Sequence, residues 1–352
     1  MSYFRTGFGA LLPLLHDLIQ AGAFDIGFDL NPIVRWSDVW EGELLPTVFL
    51  AWKKLIDVHV VDEEVKPENI CKYASQPTTS SSMNPNKALW EKGDFTRIAE
   101  TMRESGEALV QRLGITKGLK VLDLGCGDGT TALPEAKLGA DVLGVDIARN
   151  LVEAGNKRAA EQGLTNCTFQ EGDASNLQQL PDRAFDLVVS IFGAMFAPKP
   201  FEVAKEMARV TRPGGRIVMG NWIPNDPTLV AQILKISSSY TPPPPEGFVS
   251  PMTWGIESNV IDRFAGAGVP AEKISFARDT FTFNFPGAPS ALVDEFRKYY
   301  GPTMSAFEAA EKNGRGAELQ KELEDLFNSQ NKRPSKDATS IPATFLRVTV
   351  AL

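Results

Sequence analysis

Residues 121–129 read VLDLGCGDG, an apolar strand that runs straight into three glycines at alternate positions. The apolar half calls for a buried strand. The glycines let the backbone turn sharply and lie against a ligand that a β-carbon would exclude. Loops of this kind serve nucleotide-binding folds of several chemistries, so spacing has to decide between them. A dinucleotide fingerprint is GxGxxG, whereas Gly129 arrives one residue early, and the GKS or GKT of a phosphate loop is absent.

The chain around this loop alternates between strands and helices. A helix over 94–113, with Asp94 suited to its cap, precedes strand 121–125. A helix over 130–138, strand 141–147, helix 148–162 and strands 167–172 and 185–192 follow. Then come helix 200–210, strand 216–222, a helix beyond Pro224, a helix near 254–265, strand 276–285, helices between 289 and 328, and strand 343–352. Such alternation predicts a doubly wound α/β sheet with helices on both faces.

The Ser/Thr/Pro/Asn cluster ASQPTTSSSMNP marks a linker over residues 74–85, which separates an N-terminal, mainly helical extension (1–73) from the main domain (86–352). Near the start, GFGALLPLL follows Arg5 and precedes Ala21-Gly22-Ala23, imitating a secretory signal. His16, Asp17 and Gln20 interrupt it, and Leu11, Leu12, Leu15, Leu18 and Ile19 instead fit one face of an amphipathic helix. The role of this extension is unreadable, and its His16 and His59 read as ordinary surface or core residues.

Composition narrows the function classes. Lys plus Arg is 36 against 44 Asp plus Glu, a net charge of −8, and no basic run could follow a phosphate backbone, which argues against a nucleic-acid partner. Cys71, Cys126 and Cys167 are odd in number and lack CxxC pairing, so neither disulfides nor a metal centre is expected. A cytoplasmic setting fits best. No apolar run reaches the ~18 residues of a membrane span.

VLDLGCGDG resembles motif I of the class I S-adenosylmethionine-dependent methyltransferases, small-molecule type, and further motifs follow in that family's order. Asp146, in GVDIA, occupies the place of the acid that accepts both cofactor ribose hydroxyls, and Ile147 that of the residue on the adenine face. Gly172-Asp173-Ala174 resembles the segment whose carboxylate meets the adenine amine; FDLVVSIFGAMF resembles motif IV; VTRPGGRIVM resembles the turn and strand beyond it. WEKGDFTRIAE resembles the segment that closes over the methionine end of the cofactor.

The resemblance implies a Rossmann-like methyltransferase sheet of about seven strands with a reversed C-terminal hairpin, and S-adenosyl-L-methionine as cofactor. It implies cofactor contacts from Trp90, Asp123, Gly125, Cys126, Gly127, Asp146, Ile147, Asp173, Ala174 and Ser190. Each acid also has a plainer role as strand-end acceptor, helix cap or turn former. Phe192, Phe196, Trp222, Trp254, Tyr299 and Tyr300, with Met195, Asn225, Asp226 and Phe248, are candidates for a substrate wall. Segments near 224–265 and 289–328, with WEKGDF, would form a lid that selects a small molecule.

No histidine follows His59, so catalysis chiefly by proximity and orientation in an in-line displacement is the preferred reading, with the catalytic base unassigned. Alternatives are a cofactor-binding regulatory or scaffolding protein without turnover, a nicotinamide-dependent oxidoreductase, and aminopropyl transfer on the same fold. The methyl acceptor and the oligomeric state are not readable.

Overall fold

The computed structural model describes residues 86–335 and 337–352, within the unit that runs from Ser80 to Leu352. The expectations for the extension, the linker, His16, His59 and Cys71 lie outside the described residues. Three short helices come first: α1 (Asn86–Glu91), α2 (Thr96–Glu100) and α3 (Arg103–Val110). The alternating part follows as β1 (Lys120–Leu124), α4 (Ala132–Lys137), β2 (Asp141–Asp146), α5 (Arg149–Glu161), β3 (Cys167–Glu171), β4 (Phe185–Ile191), α6 (Pro200–Val210) and β5 (Thr211–Trp222). The chain ends with α7 (Leu229–Ser238), α8 (Glu257–Gly266), β6 (Ile274–Phe285), α9 (Pro289–Tyr299), α10 (Gly301–Lys312), α11 (Gly316–Gln330) and β7 (Thr339–Ala351).

The strands form one seven-stranded sheet in the order β3-β2-β1-β4-β5-β7-β6. β1 to β5 pair in parallel, and β7 runs antiparallel between β5 and β6, which is the reversed hairpin the sequence predicts. Side chains alternate between two cores, as strand geometry requires. Leu122, Leu124, Val188, Ile217 and Met219 share one cluster with Val203 and Met207 of α6. Val121, Val142, Leu187, Val189 and Val218 share the other with Leu133 and Ala136 of α4. Strands covered on both faces read as continuous apolar runs, and this is why VLDL and FDLVVSI stand out in the sequence.

Two elements differ from expectation. The helix predicted over 94–113 breaks at Thr101, whose carbonyl accepts the Asn284 N–H of β6 at 2.8 Å instead of continuing the helical ladder. β5 begins before the predicted turn: Phe185 pairs with Thr211 and Leu187 with Arg216, so Pro213–Gly215 form a bulge inside the strand. None of the helices among the described residues is long and apolar enough to cross a membrane.

Candidate active site

The glycine loop leaves β1 between β2 and β4, where the strand order changes direction, the place at which a doubly wound sheet opens a crevice. Its backbone presses against the turn after β4: a β-carbon on Gly125 would lie 2.6 Å from Cα of Gly193, closer than any real contact. Only glycine at both positions lets the two loops meet. Ser190 fastens the same junction from below, donating to Leu124 O at 2.6 Å and accepting from the Ala194 N–H at 3.0 Å.

Three acids support the loop. Asp146, at the end of β2, accepts from the Gly127 N–H at 2.8 Å on one oxygen and from the Ala148 N–H at 2.9 Å on the other. Each oxygen keeps a lone pair beyond these bonds. Burial pushes its carboxyl above the usual range, opposed by those backbone donors. Asp128 is almost fully buried and is clamped by Arg103 at 2.6 Å, while Arg158 donates to its backbone carbonyl at 2.5 Å. Asp123 accepts from Thr131 Oγ1 at 2.5 Å, and burial pushes its carboxyl up to about 7. Beside it Glu135 on α4 is fully buried with neither carboxylate oxygen bonded, and desolvation, then the charge of Asp123, raises it well above its ordinary value. Burial likewise pushes the Cys126 thiol up, which makes it a small apolar wall residue and no nucleophile.

A cavity of about 140 Å³ opens over the loop. Gly125, Cys126, Gly127, Asp146, Ile147, Ala174 and Trp90 line it, and so do Phe192, Phe196, Trp222 and Tyr300. Asp123, Asp173, Ser190, Trp254 and Tyr299 are not among its lining residues. Asp123 and Ser190 are buried beneath the loop, and Asp173 turns its carboxylate onto Ser175, at 2.8 Å to the N–H and 2.7 Å to the hydroxyl. Trp254 is packed in the core under the Arg263 guanidinium, and Tyr299 lies under that of Arg97. Phe248, on the proline loop, is 55% exposed.

The cavity has two ends. At one end, that of the glycine loop and β2, stand Asp128, Thr130, Thr131 and Asp146; the rings of the lining form a contiguous aromatic group, here called the other end. Phe192 stacks on Trp222 with ring centroids 3.7 Å apart, and it holds a left-handed φ of +66° so that its N–H reaches Gly220 O at 2.9 Å. A bulky residue there signals local strain, which clusters at sites of function. The ring succession then runs through Phe283 and Phe296 to Tyr300, and across to Trp90 and Phe196. Lys87 pins this roof to the sheet, donating to Ile147 O at 2.8 Å and to Glu171 at 3.0 Å.

Sequence reasoning missed Asp128, Lys87, Gly193, Phe281, Phe283 and Phe296. Asp128 sits inside the glycine motif and was within reach as a third acid of the loop. The phenylalanines were hidden because FTFNF reads as an ordinary strand, and only its pairing in the reversed hairpin turns Phe281 and Phe283 toward the cavity.

The crevice at the strand ends, where doubly wound sheets bind their ligands, thus lies beside an apolar chamber. A profile of the methyltransferase domain family matches residues 115–242. An uncharacterized protein of Mycobacterium tuberculosis is 36% identical over 245 residues, which is 68% of this chain and 86% of that protein. The demethylmenaquinone methyltransferase of Anoxybacillus flavithermus is 39% identical over 112 residues, 31% of this chain and 47% of its own length. Among solved structures, the YcgJ protein from Bacillus subtilis is similar with a TM-score of 0.46 at 20% identity, covering 71% of this chain and 99% of that one. The chain belongs to the class I S-adenosylmethionine-dependent methyltransferases, and S-adenosyl-L-methionine is its cofactor.

Proposed function

We propose that this enzyme transfers the methyl group to a small organic acceptor held at the aromatic end of the cavity. The observation that carries this reading is that one cavity joins the glycine loop and Asp146 to Phe192, Trp222 and Tyr300. Asp146 is suited to take both ribose hydroxyls on the lone pairs its backbone donors leave, and Ile147 and Ala174 to border the adenine. Gly127 has no heavy atom within 4 Å of where a β-carbon would stand, so the loop offers open space for a cofactor to approach. Asp123 and Ser190 act through others, by holding Thr131 and the Gly125–Gly193 contact.

When bound, the cofactor supplies an electrophilic methyl group on a sulfonium. The chain's part is to hold the acceptor in line with that group and to exclude water, which is work for Trp90, Phe95 and Tyr300, whose rings meet across the mouth. The same roof favours a small acceptor over a macromolecule.

Calorimetry with S-adenosylhomocysteine and with NAD, followed by a screen of small metabolites with a labelled methyl donor, tests the reading. The expected outcome is one bound S-adenosylhomocysteine, no NAD, and label in a small molecule. Label found only in protein or nucleic acid would overturn it.

A further inference from the structure

The acceptor end of the cavity has a chemistry that narrows the substrate further, and the inference rests on the reading just given. No lysine, arginine or histidine lines the cavity among the described residues. Its only charged lining residues, Asp128 and Asp146, belong to the loop end, where arginines and backbone N–H groups already engage them. An anionic acceptor would therefore find no cation at the aromatic end, and a cationic one no carboxylate. Burying an unpaired ion costs more than the faces of the rings return.

Apart from indole N–H groups, Tyr300 supplies the one polar group on the rings of this end. It lies at the junction of α9 and α10 and is 6% exposed; burial is the sole cause of its raised pKa, with no hydrogen bond to its hydroxyl among the described residues, and the oxygen is not among the buried atoms shut off from solvent, so it opens to the cavity. A ligand that fills the cavity takes water away from this hydroxyl, so a ligand that accepts its hydrogen bond is favoured over one that leaves it unpaired. We propose that the acceptor is an uncharged, flat, apolar ring system bearing an oxygen, and that Tyr300 is the specificity-determining residue that hydrogen-bonds this oxygen. Burial alone pushes the Tyr300 phenol well above its ordinary value, so it acts as a donor and does not serve as a base. On transfer the acceptor oxygen bonds the methyl carbon as the carbon–sulfur bond breaks to leave S-adenosylhomocysteine, the positive charge passes to that oxygen, and its proton is released to solvent, which favours phenols and enols over aliphatic alcohols.

The test uses the full chain saturated with S-adenosylhomocysteine, with tryptophan fluorescence reporting the binding of four probes: 2-naphthol, naphthalene, 2-naphthoate and (2-naphthylmethyl)trimethylammonium. The expected result is that 2-naphthol binds at least tenfold more tightly than either charged probe. Tyr300→Phe should weaken 2-naphthol about fivefold, the loss of one hydrogen bond, and leave naphthalene within twofold. Either charged probe binding as tightly as 2-naphthol overturns the uncharged class, and equal weakening of 2-naphthol and naphthalene overturns the role of Tyr300. Failure to bind S-adenosylhomocysteine in the preceding titration would instead count against the proposed function itself.

Discussion

In the proposed site Asp146 has two tasks, because the oxygens it would offer a ribose are the ones that accept from Gly127 and Ala148. Removing the carboxylate therefore strips the ligand of an acceptor and frees the loop together. Asp146→Ala is expected to weaken S-adenosylhomocysteine binding by ~1–3 kcal/mol, the scale of lost charge-assisted hydrogen bonds. Calorimetry checks it, and an unchanged dissociation constant would remove Asp146 from the site. The position of this acid beside the loop was legible because it ends a strand next to a glycine loop. Asp173 stands at the end of the next strand in the matching motif, and one oxygen of its carboxylate, Oδ1, closes a local turn on Ser175. An Asx turn and a ligand contact leave the same mark on a sequence.

Among the elements, the roof of the cavity is the part built from the most distant pieces of chain. The segment between α1 and α2 passes so close to the α9–α10 junction that a β-carbon on Gly93 would run into Tyr299 O and reach Met304 Sδ at 2.9 Å. From the other side, a β-carbon on Gly301 would stand 2.5 Å from Leu89 O. Gly93→Ala is expected to lower stability by ~1–3 kcal/mol through overpacking and to speed the release of S-adenosylhomocysteine, with affinity falling less than the dissociation rate rises. Stopped-flow displacement measures this, and an unaltered release rate would mean that the two segments do not close the site. WEKGDF and Tyr300 were both singled out from the sequence, but their meeting was not legible. It depends on the path of α9 to α11, which no local pattern encodes. The proline loop with Phe248 and the Trp254 segment were expected in the same roof, and neither lines the cavity: one is exposed, the other serves the core.

At the scale of the whole molecule, the buried acids under the loop make stability depend on pH in an unusual direction. The Asp123 carboxyl is pushed up to about 7 when folded, against ~3.9 in an unfolded chain, so between these values the folded protein keeps a proton that the unfolded chain has released. Stability from this group is therefore present in full below ~4 and is lost as pH rises toward 7; Glu135 shifts the same way. Asp123→Asn should flatten this fall, and the difference in Tm between wild type and variant between pH 5 and pH 7.5 isolates it from other titrating groups. Parallel curves would show that Asp123 is ionised in the folded protein. The alternating strands of the sheet were legible because strands buried on both faces leave an unambiguous pattern, while the reversed hairpin was implied by the family resemblance. The acceptor chamber was legible only as a list of aromatics, because burial in a core and exposure to a ligand select the same side chains. The central claim is that one cavity carries the cofactor at the loop end and the acceptor at the aromatic end. A crystal structure of the full chain with S-adenosylhomocysteine tests it most directly: the account predicts both ribose hydroxyls on Asp146 and the sulfur facing Phe192 and Tyr300. A ribose bound away from Asp146, or a sulfur turned away from the aromatic end, would contradict it.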